Sequence, residues 1–422
     1  MRSASPQGTR PGGDGLVPDV GGRTRSWARV AAVLFAIGYG ANQFSPLMVV
    51  YREQGHYSAT VVAAFFGVYV AGLAPGLLLG GPLSDRLGRR RVLLPALVAS
   101  VPASAVLAAG AFSEALLFTG RFLFGVVTGV AMAVGTTWVK ELSQAPFDPE
   151  ADPGSGARRA ALALSAGFGV GPVVGGVLAQ WAPLPMELPY LVHIVLTLPV
   201  IALVVRAPET RLPETAPRRS LLADLKVPAV AHPRFRGLVL PLAPWVFAGP
   251  ALSFAVQPAA LGAERTAGFG LIFATGLTAV TLSAGIAIQS AARRLDARAP
   301  LAGARLGLAL IVVGTLVSAG TALTGSLVVA FVASAVLGGA YGISLVSGLL
   351  EVQRIAEPAH LAGLTAVFYT LTYGGFLLPV VLAPLAVHVP YAVLLVVVAA
   401  VAAVCLAMLV AAGRRTRATV AA

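Results

Sequence analysis

Cysteine is all but missing from this chain: Cys405 is the only one in 422 residues. That excludes a disulfide framework and any cysteine-ligated metal site. Histidine is nearly as scarce, and the five present are scattered without the spacing of a metal site. No glycine-rich loop ends in Lys-Ser or Lys-Thr, so there is no sign of nucleotide drive. Charge is thin as well. Asp, Glu, Lys and Arg together make up 11% of the chain, against about 25% in a soluble domain. Acids are the rarer sign, 17 against 30 bases, for a net charge of +13. That excess does not point to nucleic acid, because the arginines cluster in short segments between apolar runs. There they set topology and meet lipid.

Apolar residues are what the chain has in quantity, at 57%. They gather into runs of about 20 residues, enough to cross a hydrocarbon core of about 30 Å. Residues 1–26 are rich in Gly, Pro, Arg and Ser and hold no apolar core, so they read as a disordered tail and not a signal peptide. Twelve helices are expected, over 27–51, 58–80, 92–111, 114–138, 158–180, 188–206, 236–258, 267–291, 300–323, 325–350, 361–386 and 389–412. The third contains Pro95 and Pro102, and the seventh Pro241, Pro244 and Pro250. Membrane helices tolerate such residues.

The spans divide six and six, giving an N-terminal bundle over 27–206 and a C-terminal bundle over 236–412. Between them 207–235 reads as a linker, in which Leu221, Leu222 and Leu225 beside Asp224 and Lys226 suggest one amphipathic turn on the membrane surface. Residues 413–422 form a closing tail. Alternate loops carry the basic residues: Arg23, Arg25 and Arg29; Arg86 and Arg89 to Arg91; Arg158 and Arg159; Arg206, Arg211, Arg218, Arg219, Lys226, Arg234 and Arg236; Arg293, Arg294 and Arg298; Arg354; and Arg414, Arg415 and Arg417. The intervening loops carry only Arg52 and Arg265. By the positive-inside rule both termini and the linker are expected in the cytoplasm of a multi-pass cell-membrane protein.

Between the second and third runs the chain reads Gly80-Gly81-Pro82-Leu83-Ser84-Asp85-Arg86-Leu87-Gly88-Arg89-Arg90-Arg91. One reading is topological, with arginines held inside and Gly and Pro making the turn. The other is mechanical: Asp85 forms an ion pair or caps a neighbouring helix, and the glycines permit close packing. Gly81, Leu83, Asp85, Arg86, Gly88, Arg89 and Arg90 follow the pattern Gly-x-Leu-x-Asp-Arg-x-Gly-Arg-Arg. The loop thereby resembles that between helices 2 and 3 of the major facilitator superfamily. The resemblance implies an all-α membrane protein of twelve helices in two pseudo-symmetric six-helix bundles, and a latch that locks the halves when the carrier faces outward. Ala291-Ala292-Arg293-Arg294-Leu295-Asp296-Ala297-Arg298 echoes the loop at the matching place in the second half.

Arg121 is the most unusual residue within an apolar run, about 10 Å below the outer end of its helix at 1.5 Å per residue from Glu114. A guanidinium at that depth faces a bundle interior or a wet cavity, or else snorkels to the interface. Asn42 and Gln43 lie at comparable depth in helix 1 and are candidate hydrogen-bond partners. With Gly120, Gly125 and Gly129, Arg121 resembles the superfamily's helix 4 motif, whose Arg is associated with proton coupling and substrate binding. In helix 5, Gly167, Gly171, Pro172, Gly175 and Gly176 allow close approach of two helices. Their pattern is similar to the motif that marks antiporters of the superfamily, although Arg158 stands where the family has another Gly. Ala207-Pro208-Glu209-Thr210-Arg211 resembles the family's exit from its first half.

The superfamily's drug–proton antiporters often place an acid within helix 1 or 4. Here Glu53, Glu114, Glu141 and Glu351 all fall at helix ends. His193 in helix 6 has a range suited to proton transfer, or is a structural core residue, and Arg121 cannot give up its proton. By resemblance helices 1, 4, 7 and 10 line the cavity, which nominates Tyr39, Asn42, Gln43, Trp245, Gln257, Tyr341 and Ser344. Aromatic and amide groups in an apolar vault suit an amphipathic organic molecule. The expectation is a secondary transporter and not an enzyme, exporting such a molecule, with proton exchange as an implied coupling. Small-molecule substrate, protons and the bilayer are its expected partners. It is expected to act as a monomer, without cofactor, metal or nucleic acid. An importer of a small metabolite is the alternative, and a non-transporting receptor or scaffold with the same fold is another.

Overall fold

The structure, a computed structural model, describes residues 25–152, 154–211, 227–262, 264–299, 301–357 and 361–421, with side chains as far as Arg414. The tail 1–24, the amphipathic turn at 221–226, and Arg218 and Arg219 lie outside the described residues.

All twelve expected helices form. They are α1 (Ser26–Glu53), α2 (Ala59–Leu87), α3 (Arg89–Phe112), α4 (Glu114–Glu141), α5 (Ser155–Trp181), α6 (Leu188–Val204), α7 (Phe235–Leu261), α8 (Gly270–Arg298), α9 (Ala302–Thr324), α10 (Leu327–Ile355), α11 (Leu361–Leu385) and α12 (Tyr391–Ala421). Eleven are long and apolar enough to span a bilayer. The twelfth, α6, has 17 residues, at the short end of the spanning range of about 17–25. No strand occurs among the described residues.

Several helices outrun their apolar windows. α2 was expected to stop at 80 but continues to Leu87, so the Gly80–Leu87 stretch is helix and carries Pro82 within it. Only Gly88 breaks the chain before α3 starts at Arg89, and its φ of 101° is a conformation that favours glycine. The turn expected across Gly80–Arg91 is thus one residue long. Hydropathy marks where lipid begins, whereas helical hydrogen bonding continues into the charged interface. The same holds at Glu141, Arg298 and the end of α12, which occupies most of the tail expected at 413–422.

Two of the prolines follow a widened helical turn. In α7 the π-helical stretches Phe235–Val239 and Leu252–Val256 immediately precede Pro241 and Pro258. A π turn gives the ring room where it would strike the carbonyl four residues back. α1 is interrupted at Gln43, between Ser26–Asn42 and Phe44–Glu53.

Glycines set the helix pairings, and the two halves pair alike. In the first half, side chains at Gly72 and Gly76 of α2 would strike the backbone of Phe122 and Val126 in α4, while Gly125 and Gly129 of α4 meet the backbone of Tyr69 and Leu73. In the second, Gly338 and Gly342 of α10 meet the backbone of Thr281 and Gly285 in α8. Second and fourth helices therefore pack through glycine in each half. First and fifth do likewise: Gly167 and Gly171 of α5 lie on the backbone of Phe35 and Tyr39 in α1, and Gly375 of α11 lies on Pro244 and Ala248 in α7. Such close approach suits membrane helices, whose association depends on packing and not on hydrophobic expulsion. The outside is apolar, with Val195, Val401, Val404 and Met408 each more than half exposed, as a lipid-facing surface requires.

Candidate functional site

A narrow cavity lies between the halves at mid-depth. Ala41, Asn42, Phe66, Tyr69, Arg121 and Phe168 contribute from the first half, and Phe247, Phe254, Tyr341, Tyr373 and Phe376 are among those from the second. Arg121 is 1% exposed, held there because α4 packs so tightly on α2. Its guanidinium carbon stands 4.1 Å from the Phe44 ring centre and 4.3 Å from that of Tyr69. Rings that close to a guanidinium stabilise its charge through cation–π contact. Nε donates to the Phe65 carbonyl at 3.4 Å and Nη1 to that of Ala41 at 3.3 Å. Both bonds are long. No ion pair to Arg121 exists among the described residues.

The partners expected for Arg121 were Asn42 and Gln43, and the structure corrects this. Asn42 lines the cavity, but its amide donates to the Phe168 carbonyl at 2.8 Å and accepts from Ser45 Oγ at 3.0 Å. Gln43 is fully buried against Gly175, and neither of its amide atoms has a hydrogen-bond partner. Of the seven residues expected around the cavity, Asn42 and Tyr341 line it. Tyr39 is buried, its ring stacked on His193 of α6 with centres 6.2 Å apart and its hydroxyl unpartnered. Trp245 packs into the core of the second half with Leu242, Ala248 and Leu308. Gln257 donates to Ser334 Oγ at 3.1 Å within a buried hydroxyl chain through Ser253 and Thr281. Ser344 sits against Gly307 of α9, its hydroxyl unpartnered. These five face other helices: an apolar run sets depth in the membrane but not rotation about the helix.

The walls missed from sequence are aromatic and come from α2, α7 and α11. Phe66 and Phe376 stack with ring centres 5.3 Å apart, Phe247 and Phe376 at 5.1 Å, and Phe247 and Tyr373 at 4.3 Å. A signal was available. Tyr369, Tyr373 and Phe376 recur at helical spacing in a chain with only 7% aromatic residues.

The halves meet on the face away from the termini. There Gly67 of α2 faces Val380 and Leu377 of α11, Gly176 of α5 abuts Thr275 of α8, and Gly270 lies near the Glu53 carboxylate. At mid-depth the Tyr373 hydroxyl donates to Met132 Sδ at 3.3 Å. The antiporter-like residues of α5 thus divide their roles. Gly167, Gly171 and Gly175 face α1, Gly176 faces the other half, and Pro172 is buried within the helix.

On the terminus side, Arg89 organises the α2–α3 junction. It is 5% exposed and donates to Asp85 at 2.7 Å, to Ser84 Oγ at 2.7 Å and to both oxygens of Glu141 at 2.8 and 3.2 Å. Glu209 accepts from the backbone N–H of Arg89 at 2.8 Å and of Arg90 at 2.9 Å, capping α3 where its dipole favours an anion. Arg90 also donates to the Val205 carbonyl at 3.1 Å. Helix capping, one role expected of Asp85, belongs to Glu209, while Asp85 takes the expected ion pair. Gly81, expected to permit close packing, has open space where a side chain would stand. Arg86 occupies the last turn of α2. The second half carries the opposite arrangement: Glu351, 3% exposed, is held by Arg234 at 2.5 Å and Arg354 at 3.1 Å. Asp296, in the echo of the loop, accepts from the Gly303 N–H at 2.9 Å and from Ser347 Oγ.

His193 lies in the core of the first half. Its Nε2 is 3.1 Å from the Ala36 carbonyl, which can only accept, and its Nδ1 is 2.8 Å from Ser104 Oγ. Both ring nitrogens are therefore satisfied by a neutral ring, and it stands apart from the cavity lining.

A family model described as the Major Facilitator Superfamily matches residues 30–379. The multidrug efflux pump LfrA of Mycolicibacterium smegmatis is 33% identical over 209 residues, 46% of this chain and 38% of that protein. The chloramphenicol resistance protein CraA of Acinetobacter baumannii is 35% identical over 121 residues, 28% of this chain and 29% of that protein. The matched stretches thus span well under half of those relatives. Among solved structures, a POT family transporter in complex with a thioalcohol conjugated peptide superimposes with a TM-score of 0.75 at 12% identity, covering 93% of this chain and 96% of that one. The nucleoside transporter NupG gives 0.69 at 12% identity, covering 92% and 98%. At these identities the likeness is one of fold.

Proposed function

The chain belongs to the Major Facilitator Superfamily, and on that premise we propose that it is a secondary transporter exporting a small amphipathic organic molecule by alternating access. The observation that carries this is the mid-depth cavity, built from both six-helix halves and walled by aromatic rings around one buried arginine. A site shared by two bodies changes its exposure when they rock, which is what alternating access needs. Export is favoured by the Gly171-Pro172 stretch against α1, by the efflux that the name of one relative states and by the drug resistance that the name of another states. Arg121 and Asn42, with Tyr341 from the opposite half, are our candidate substrate residues.

With the termini in the cytoplasm, as the arginine distribution argues, the face on which the halves meet is the outer one. The bonds of Asp85, Arg89 and Arg90 then run within the first half and to Glu209 at the start of the linker, and a latch formed between halves belongs to the opposite conformation. Proton exchange, which the resemblance implies, finds no carboxylate to carry it among the described residues lining the cavity.

The test is to load cells deleted for their own pumps with ethidium, chloramphenicol or 2-naphthoate, a cation, a neutral compound and an anion, and to follow intracellular content. The protein should lower at least one of the three relative to a vector control. Raised content would favour import, and unchanged content of all three, with protein verified in the membrane, would refute export of this class.

A further inference from the structure

Arg121 is the one charged side chain lining the mid-depth cavity among the described residues. A guanidinium has five N–H donors. Two are engaged, at 3.3 and 3.4 Å, and Nη2 has no protein partner among the described residues. Phe44 and Tyr69 stand 4.1 and 4.3 Å from its central carbon, and its unfilled hydrogen-bonding capacity lies in the guanidinium plane, where the N–H groups point. A buried cation normally has an anion beside it, because an uncompensated charge away from water is costly. No Asp or Glu among the described residues lining the cavity supplies one.

On the reading of this cavity as the substrate site, we infer that the transported molecule is an aromatic organic monoanion whose carboxylate or like-shaped acid group pairs with Arg121. The planar fork of the guanidinium matches a carboxylate in bidentate geometry. An organic cation would enter a space already holding an unpaired positive charge. A neutral compound would leave the free donors unanswered, which discriminates strongly in a buried site. A polyanion would find only one cation. The body of the ligand meets Phe66, Phe247, Tyr341, Tyr373 and Phe376, ring surfaces that receive another flat ring.

The experiment uses the full chain purified in detergent and three compounds of one shape: 2-naphthoate, 2-naphthamide and 2-naphthylmethylamine. Thermal shift and equilibrium binding should rank the anion first, about tenfold or more over the amide, with the amine last. Arg121→Gln should remove the preference and Arg121→Lys keep part of it. Asn42→Asp, which brings a carboxylate to the same wall, should weaken 2-naphthoate and admit the amine. Equal binding of all three by the parent protein, or preference for the amine, overturns the inference. So does stabilisation by chloride, measured against gluconate, that equals the effect of 2-naphthoate, which would make the site one for an inorganic anion. If 2-naphthoate binds as stated but no compound leaves loaded cells, the site assignment stands and export fails. If ethidium or chloramphenicol is exported while 2-naphthoate does not bind, the export reading stands and this inference falls.

Discussion

Removing Arg89 should loosen the first half measurably. Its side chain is 6% exposed, bonded to Asp85 and Glu141, whose side chains are 48% and 29% exposed. Deleting one partner of a fully buried ion pair costs about 3–5 kcal/mol, because the other is left uncompensated. Here water reaches both carboxylates and recovers part of that, leaving about 2 kcal/mol for Arg89→Met after discounting for exposure. Glu209 still caps α3, since it binds backbone and not the guanidinium. For a cooperative unit of roughly 200 residues, 2 kcal/mol corresponds to a fall in Tm of about 4–8 °C. The double variant Arg89→Met with Glu141→Leu should recover part of the loss, because apolar replacement removes the stranded charge along with its partner. The assay is heating in detergent followed by size exclusion, with the surviving monodisperse fraction as readout. A Tm within about 1 °C of the parent would show that Arg89 only marks topology.

Gly171→Leu should prevent accumulation of folded protein, because its side chain would strike the α1 backbone at Tyr39, whereas Gly169→Leu, with open space around it, should accumulate normally; membrane abundance by immunoblot distinguishes them. Glu209→Ala removes the acceptor at the start of α3 and should cost about 1 kcal/mol, read in the same melting assay. Cysteines placed at Arg91 should label only from the cytoplasm and at His56 only from outside, and swapped labelling would invert the orientation. Asp85→Asn keeps the shape of its side chain and removes its charge, so insertion should survive while export falls sharply; full activity in a transport assay would leave the junction a topological signal.

The number, type and approximate places of the helices were legible because apolar runs of membrane length are a strong, local signal. Their ends were less so. Hydropathy stops near Gly80 and Glu141, where the helix does not need to. Contacts across sequence were the least legible. Glu141 was read as an acid at a helix end, yet it joins Arg89, 52 residues away, and Glu209 reaches back 120 residues to cap α3. Rotation was likewise hidden. Trp245 and Phe247 are two residues apart on α7, and only the second lines the cavity. The environment of Arg121 differs from the expected one for a physical reason: in place of a polar side chain the protein supplies two nearby aromatic rings and two carbonyl oxygens.

Alternating access itself is tested by one covalent tether. A side chain at Gly67 would lie 3.4 Å from Val380 on the face away from the termini. With Cys405→Ala the chain offers no other thiol, so Gly67→Cys with Val380→Cys gives a clean pair. Oxidation should cross-link the two halves on that face and abolish export of whichever probe the parent protein moves, and reduction should restore it. A quantitatively cross-linked protein that exports at the parental rate would contradict the account, since its substrate path would not require the two halves to part.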